Sequence, residues 1–190
     1  MGTFPISTEM GNVPISRPVV SVYVAASLDG YIADEHGGLA WLDEVQRADE
    51  DYGHAEFLAR VDAIVMGRGT YDACLAFDPW PYPEHDVFVL THRELDAVPA
   101  RVSSYAGELA PLLATLAISG KRHVYVDGGQ VISQALAADL VDELTISWIP
   151  TLLGRGRPLF HAPLPTTKWQ LERVQGYPSG LVQVRYARPA

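Results

Sequence analysis

Val124-Tyr125-Val126-Asp127-Gly128-Gly129-Gln130-Val131-Ile132 decides the fold: an apolar strand runs into two glycines, and the glycines open a helix. The helix is expected from Gln130 to Ala138, because Val131, Ile132, Ala135 and Leu136 recur on one face at helical spacing. Working outward, the same construction returns at Ala63-Ile64-Val65-Met66, followed by Gly67-Arg68-Gly69-Thr70-Tyr71, and at Val87-Phe88-Val89-Leu90, followed by Thr91-His92-Arg93. Val19 to Ala26 is apolar or small on both alternating faces, the pattern of a strand covered on both sides. Helical segments are expected over 45–61, 70–77 and 108–118. The order is β-α-β-α. Beyond it, Leu144 to Ile149 and Leu181 to Tyr186 have only loop and strand between them, and Val182, Val184 and Tyr186 alternate with Gln183 and Arg185, as in a half-exposed antiparallel strand. The prediction is an α/β domain with a mixed, mostly parallel sheet flanked by helices and finished by an antiparallel hairpin.

The 190 residues suit one domain, assigned to 19–190. Residues 1–18, with Pro5, Pro14 and Pro18 and no apolar period, read as a flexible arm. A formal net charge of −9 repels phosphate backbones and anionic lipid, so neither nucleic acid nor membrane is expected as a partner. No apolar run reaches the roughly 18 residues of a membrane span, and the N-terminus lacks a basic and apolar leader, which predicts a cytoplasmic protein. Cys74, the single cysteine, sits on an apolar helix face and reads as buried filler. The six histidines show no metal-ligand spacing, and no metal is expected.

Each glycine turn has two readings. Gly128 and Gly129 either let a phosphate approach the backbone at a helix start or only make a tight strand-to-helix turn. Arg68 and Thr70 either hold a second phosphate or serve as a surface ion pair and a cap. Asp72 stands where a G-x-G-x-x-G fingerprint would have its third glycine, so the Rossmann pattern is excluded. With Thr91, His92 and Arg93, three strand ends of one sheet edge carry phosphate-friendly chemistry, and ligands of open α/β sheets gather at carboxyl ends.

Four ordered segments, Ala25-Ala26-Ser27-Leu28-Asp29-Gly30-Tyr31-Ile32-Ala33, Asp62 to Tyr71, Asp127-Gly128-Gly129, and Ile149-Pro150-Thr151-Leu152-Leu153-Gly154 through Pro158-Leu159-Phe160, resemble the dihydrofolate reductase-like superfamily. The resemblance runs from Val19 to about Tyr186 and is greatest to the branch holding the reductase domain of the riboflavin-biosynthesis deaminase-reductase. It implies a sheet of about eight strands and NADPH as cofactor. It implies that Ala25 and Ala26 line the nicotinamide pocket and that Ile32 and Ala33 belong to a flexible covering loop. Gly67, Arg68, Gly69 and Thr70 would hold the pyrophosphate and adenosine side, Thr91, His92 and Arg93 the 2′-phosphate, and Asp127, Gly128, Gly129, Gln130 and Val131 the pyrophosphate from the opposite wall. The chain departs from the riboflavin-pathway pattern at Tyr23, where those enzymes place a lysine, and at 78–83, where their arginine-bearing segment is replaced by Asp-Pro-Trp-Pro-Tyr-Pro.

On the substrate side, Trp41, Tyr52, Phe57 and Trp80 read either as a pocket for a flat heterocycle or as core. Asp51 stands fifteen residues before Met66, about where related folate reductases carry their carboxylate. In an apolar pocket beside Trp41 and Phe57 its pKa would rise and it would serve as the catalytic acid; otherwise it is a helix cap. The expected function is an NADPH-dependent reductase of a pterin-like or pyrimidine-like small molecule, with a non-catalytic NADP(H)-binding protein or sensor as the alternative. A homodimer is expected from the apolar Trp148, Leu152, Leu153 and Phe160.

Overall fold

The computed structural model describes residues 17–96 and 98–189, so the first sixteen residues of the expected arm lie outside the described residues. An eight-stranded sheet forms the centre. Its strands are β1 (Val19–Ser27), β3 (Ala63–Gly67), β4 (Asp86–Leu90), β5 (Val102–Tyr105), β6 (His123–Asp127), β7 (Glu143–Ile149), β9 (Gln170–Gly176) and β10 (Val182–Ala187). Their spatial order is β5-β4-β3-β6-β1-β7-β10-β9, parallel from β5 to β7 and antiparallel in the last two pairings. The expected mixed sheet with an antiparallel finish is what the chain builds. A separate two-stranded sheet pairs β2 (Tyr31–Ala33) with β8 (Arg157–Pro158).

β-branched residues on both faces explain why the central strands need cover on two sides. Val20, Val22, Val124, Val126 and Val65 face α3 (Leu109–Ile118) and α4 (Gly129–Ala137), which contribute Leu112, Leu113, Leu116, Ile132 and Ala135. Ile64, Met66, Val87, Val89 and Tyr125 face α1 (His54–Leu58) and α2 (Arg68–Cys74), which contribute Phe57, Tyr71 and Cys74. Each fully buried aliphatic or aromatic side chain contributes roughly 1.5–3 kcal/mol. Cys74 is buried, as its neighbours predicted, and burial pushes its thiol pKa up to about 12.

The long helix expected over 45–61 does not form. Ala40–Val45 is a 3-10 turn, and α1 begins only at His54. The reason is local: Tyr52 and Gly53 both have left-handed backbone, φ 59° and 84°, which interrupts any right-handed helix. The other helices match within two residues, except that the 70–77 segment starts earlier and stops at Cys74.

Candidate active site

The carboxyl ends of β3 and β6 open into a cavity of about 840 Å³, within the roughly 300–1,000 Å³ of typical cofactor clefts. Its floor is the pair of strand-to-helix turns. Gly67, Arg68, Gly69 and Thr70 come from the first turn, and Gly128, Gly129, Gln130 and Val131 from the second. Arg93 after β4 and Ile32 of β2 also line it, as do His36, Gly37, Gly156, Arg157, Pro158 and His161; Arg157 lies close to Gly69, and Pro158 and His161 close to Gly129. Three arginines and two histidines thus line the cavity against one carboxylate, Asp72, in a chain of net charge −9. Such a reversal of sign concentrates anions in the cleft.

Ten of the predicted cofactor residues meet there: Ile32, Gly67, Arg68, Gly69, Thr70, Arg93, Gly128, Gly129, Gln130 and Val131. Six do not line it. Ala26 is fully buried in the core beneath α3 and α4, and Ala25 turns to the opposite face to pack on the cluster of Val45, Ile149 and Leu181. Ala33 is buried in β2, so Ile32 and Ala33 belong to a paired strand and not to a free covering loop. Thr91 uses its hydroxyl to accept the Arg93 N–H at 3.1 Å, and His92 is exposed outside the cavity. Asp127 lies on the side of Tyr125 and Cys74.

At both turns the geometry bears on the paired readings. Arg68 is not a free cation, because Asp72 holds its Nε at 2.7 Å and Asp96 and the Glu94 carbonyl take its other nitrogens. Of its two readings, the ion pair is the one that the geometry shows. Gly128 has φ 90°, and a Cβ there would lie 2.3 Å from Thr70 Oγ1; a Cβ on Gly129 would lie 2.3 Å from the Pro158 carbonyl oxygen. These glycines are required by the protein's own packing. Side chains there would disturb the fold before they reached a ligand.

Behind the turn, Asp127 is half-buried near Tyr82, Tyr125 and Cys74. Burial raises its pKa to about 6, although the Gly128 N–H donates to its Oδ1 at 2.7 Å and favours the anion. Trp80 packs edge-on against Tyr71 and Tyr82, and its indole N–H is buried with no acceptor among the described residues. The Trp41 indole N–H is likewise buried and unpartnered. A buried donor without an acceptor is costly, and small-molecule sites are where such groups find partners. Tyr52 and Phe57 are occupied otherwise: Tyr52 donates to the Val45 carbonyl, and Phe57 stacks on Tyr23 at 4.7 Å between centroids.

Asp51 is exposed. Its carboxylate accepts the N–H groups of Gly53 and Ala55 at 3.0 Å each, and those bonds lower its pKa. The raised pKa expected in an apolar pocket is therefore overturned, and the cap reading describes the residue. What the sequence reasoning missed is Arg157 and His161, since no local pattern brings either to the glycine turns; the pairing of β8 with β2 carries Arg157 there.

Comparison with known proteins agrees with this architecture. The model of the RibD C-terminal domain family matches residues 18–183. Bacillus subtilis (strain 168) YwjB, an uncharacterized protein, is 31% identical over 169 residues, which cover 88% of this chain and 96% of YwjB. The riboflavin biosynthesis protein RibD of Corynebacterium ammoniagenes is 31% identical over 180 residues, and this chain spans half its length. Among solved structures, a Shewanella sp. PV-4 protein provisionally named for riboflavin biosynthesis superposes with a TM-score of 0.83 at 38% identity, covering 90% of this chain and 99% of that one. The fold is shared at lower identity, 19%, with a pyrimidine reductase-like protein of Corynebacterium diphtheriae, TM-score 0.61, over 91% and 92% of the two chains. With the match running from before β1 into β10, the chain belongs to the RibD C-terminal domain family.

Proposed function

We propose that the chain is a reductase that takes NADPH in the cavity between the two glycine turns and reduces a small flat heterocycle, pterin-like or pyrimidine-like, on the Asp127 side of β6. The observation that carries this reading is the cavity itself: about 840 Å³, cationic in an acidic protein, and placed at the carboxyl ends of adjacent parallel strands. The residues present fit a dinucleotide phosphate. Arg93 and Arg157 have no carboxylate partner among the described residues, and the glycine turns offer backbone without side chains. When bound, the cofactor supplies the hydride.

The protein's own work is placement, exclusion of water and a proton. Asp127 is suited to the last, because a pKa near 6 keeps a useful fraction protonated in mildly acidic to neutral solution. The buried indole N–H of Trp80 supplies a donor for a heterocycle nitrogen or carbonyl on the same side. The riboflavin-pathway substrate itself is disfavoured by Tyr23, whose hydroxyl donates to the Tyr52 carbonyl at 2.6 Å and accepts from Gln183 at 2.9 Å, where those enzymes are expected to place a lysine. Titration with NADPH, followed by its oxidation in the presence of a panel of pterins and pyrimidines, tests the reading. Binding with oxidation by a panel member supports it. Binding with no oxidation by any of them leaves a dinucleotide sensor, and no binding removes both.

A further inference from the structure

Arg157 of β8 lines the cavity, with its guanidinium near both the loop after β2 and the start of α2. Its backbone pairs with Ala33 of β2. A Cβ built on Gly37, in the loop after β2, would lie 2.8 Å from its Nη2 and 2.9 Å from its Cζ, and a Cβ built on Gly69, in α2, would lie 2.9 Å from its Nη1. The guanidinium of this exposed arginine therefore lies between the two walls, close to both glycines. No carboxylate pairs with it among the described residues. Its neighbour Arg155 pairs with Glu35 at 3.4 Å, and Arg68 across the cleft pairs with Asp72 and Asp96. Guanidinium groups favour bidentate pairing with carboxylate or phosphate, so an unpaired one set in a cavity wall is open to an anionic ligand.

We infer that Arg157 clamps the diphosphate bridge of the dinucleotide from its place between the two glycine turns, an inference that rests on the NADPH reading above. Position distinguishes the bridge from the 2′-phosphate. Arg157 touches the space of Gly69, just past the end of β3, and its successor Pro158 presents a carbonyl 2.3 Å from a Cβ on Gly129, just past the end of β6. It is central, between the two turns. Arg93, the other unpaired cation of the cavity, follows β4, which lies one strand further toward the sheet edge. A dinucleotide phosphate carries its diphosphate in the middle and its 2′-phosphate at one end, so the central cation meets the bridge and the outer one meets the end.

The test is titration of wild type, Arg157→Met and Arg93→Met with NADPH and with NADH, by calorimetry. Arg157→Met is expected to weaken both nucleotides by the same factor, roughly tenfold to a hundredfold, leaving their ratio unchanged, whereas Arg93→Met lowers NADPH affinity alone. The melting temperature of ligand-free Arg157→Met should equal that of wild type, because the side chain has no partner to lose. Unchanged affinity for both nucleotides in Arg157→Met overturns the inference and leaves the NADPH reading intact. A loss confined to NADPH overturns it as well, by moving Arg157 to the 2′-phosphate. A wild type that binds neither nucleotide overturns the reading and the inference together.

Discussion

Asp127 and Asp51 show how environment assigns roles to chemically identical side chains. Asp127 has its pKa raised by burial to about 6, so between roughly pH 4 and 6 the folded chain holds a proton that the unfolded chain has released. Stability contributed by this residue falls as pH rises through that window, and above it the charged carboxylate is a fixed cost. Asp127→Asn is expected to remove the cost, raising stability at pH 7 by about 1–3 kcal/mol relative to wild type and by little at pH 4. Denaturant midpoints of the two proteins at both pH values check this; an equal difference at both would show that burial does not perturb the group. In the reductase reading the same variant loses turnover while retaining NADPH affinity, since the Asp127 side chain does not line the cofactor cavity. Asp51 behaves oppositely. Its pKa is lowered by two backbone N–H groups, so its contribution is present above the ordinary carboxylate range and is lost as pH falls through its folded value. Asp51→Ala should cost about 0.5–2 kcal/mol, the range for a lost cap, and leave turnover unchanged; a variant with normal stability and lost turnover would restore the catalytic role expected from spacing.

At the scale of elements, the link between β6 and α4 is a tightly constrained joint. Gly129 starts α4 with its Cα against the backbone of β8, so Gly129→Ala drives a methyl group toward the Pro158 carbonyl and is expected to destabilise by about 1–3 kcal/mol. Gly176→Ala, at the end of β9 with nothing within 4 Å, should change stability by no more than about 0.5 kcal/mol, and equal midpoints for both variants would show that β8 yields freely. This joint was legible in the sequence because a strand, two glycines and an amphipathic helix each carry their own signal. Buried strands were legible for the same reason: Val20, Val22, Val124 and Val126 face a helix layer, and their composition records it. β9 was not legible, because nearly all of Gln170–Gly176 is exposed and no alternation of burial marks it. β2 and β8 escaped because three- and two-residue strands hold no period, and with them went Arg157 and His161 of the cavity lining. Arg93 could be placed from the sequence, since it follows a readable strand; Arg157 could not, since its position depends on a pairing with Ala33 more than a hundred residues away.

For the molecule as a whole, cover is unequally distributed over the sheet. The helices on both faces pack over its parallel centre, while β7 and β10 are left with an apolar groove of about 350 Å³ lined by Leu136, Leu144, Ile146, Phe160, Leu164, Trp169 and Tyr186. Nearby, Phe160 is 40% exposed, and on β9 and β10 Leu171, Val174 and Val182 are exposed as well. β9 closes one edge of the sheet, with one side of its backbone ladder unpaired among the described residues. Exposed apolar surface beside an open strand edge favours self-association, and a two-fold dimer covers both with one self-complementary contact. The residues expected from sequence to drive this divide: Leu152 and Phe160 are exposed, whereas Leu153 is half-buried and Trp148 packs partly against the core. We therefore expect a dimer of the 20.8 kDa chain by light scattering at micromolar concentration, and Phe160→Asp, placing a carboxylate on the groove, should shift it to monomer. Because Phe160 does not line the cofactor cavity, that monomer should retain its NADPH affinity if each subunit holds a complete site. A wild type that is monomeric at these concentrations would refute the dimer and assign the groove to other use.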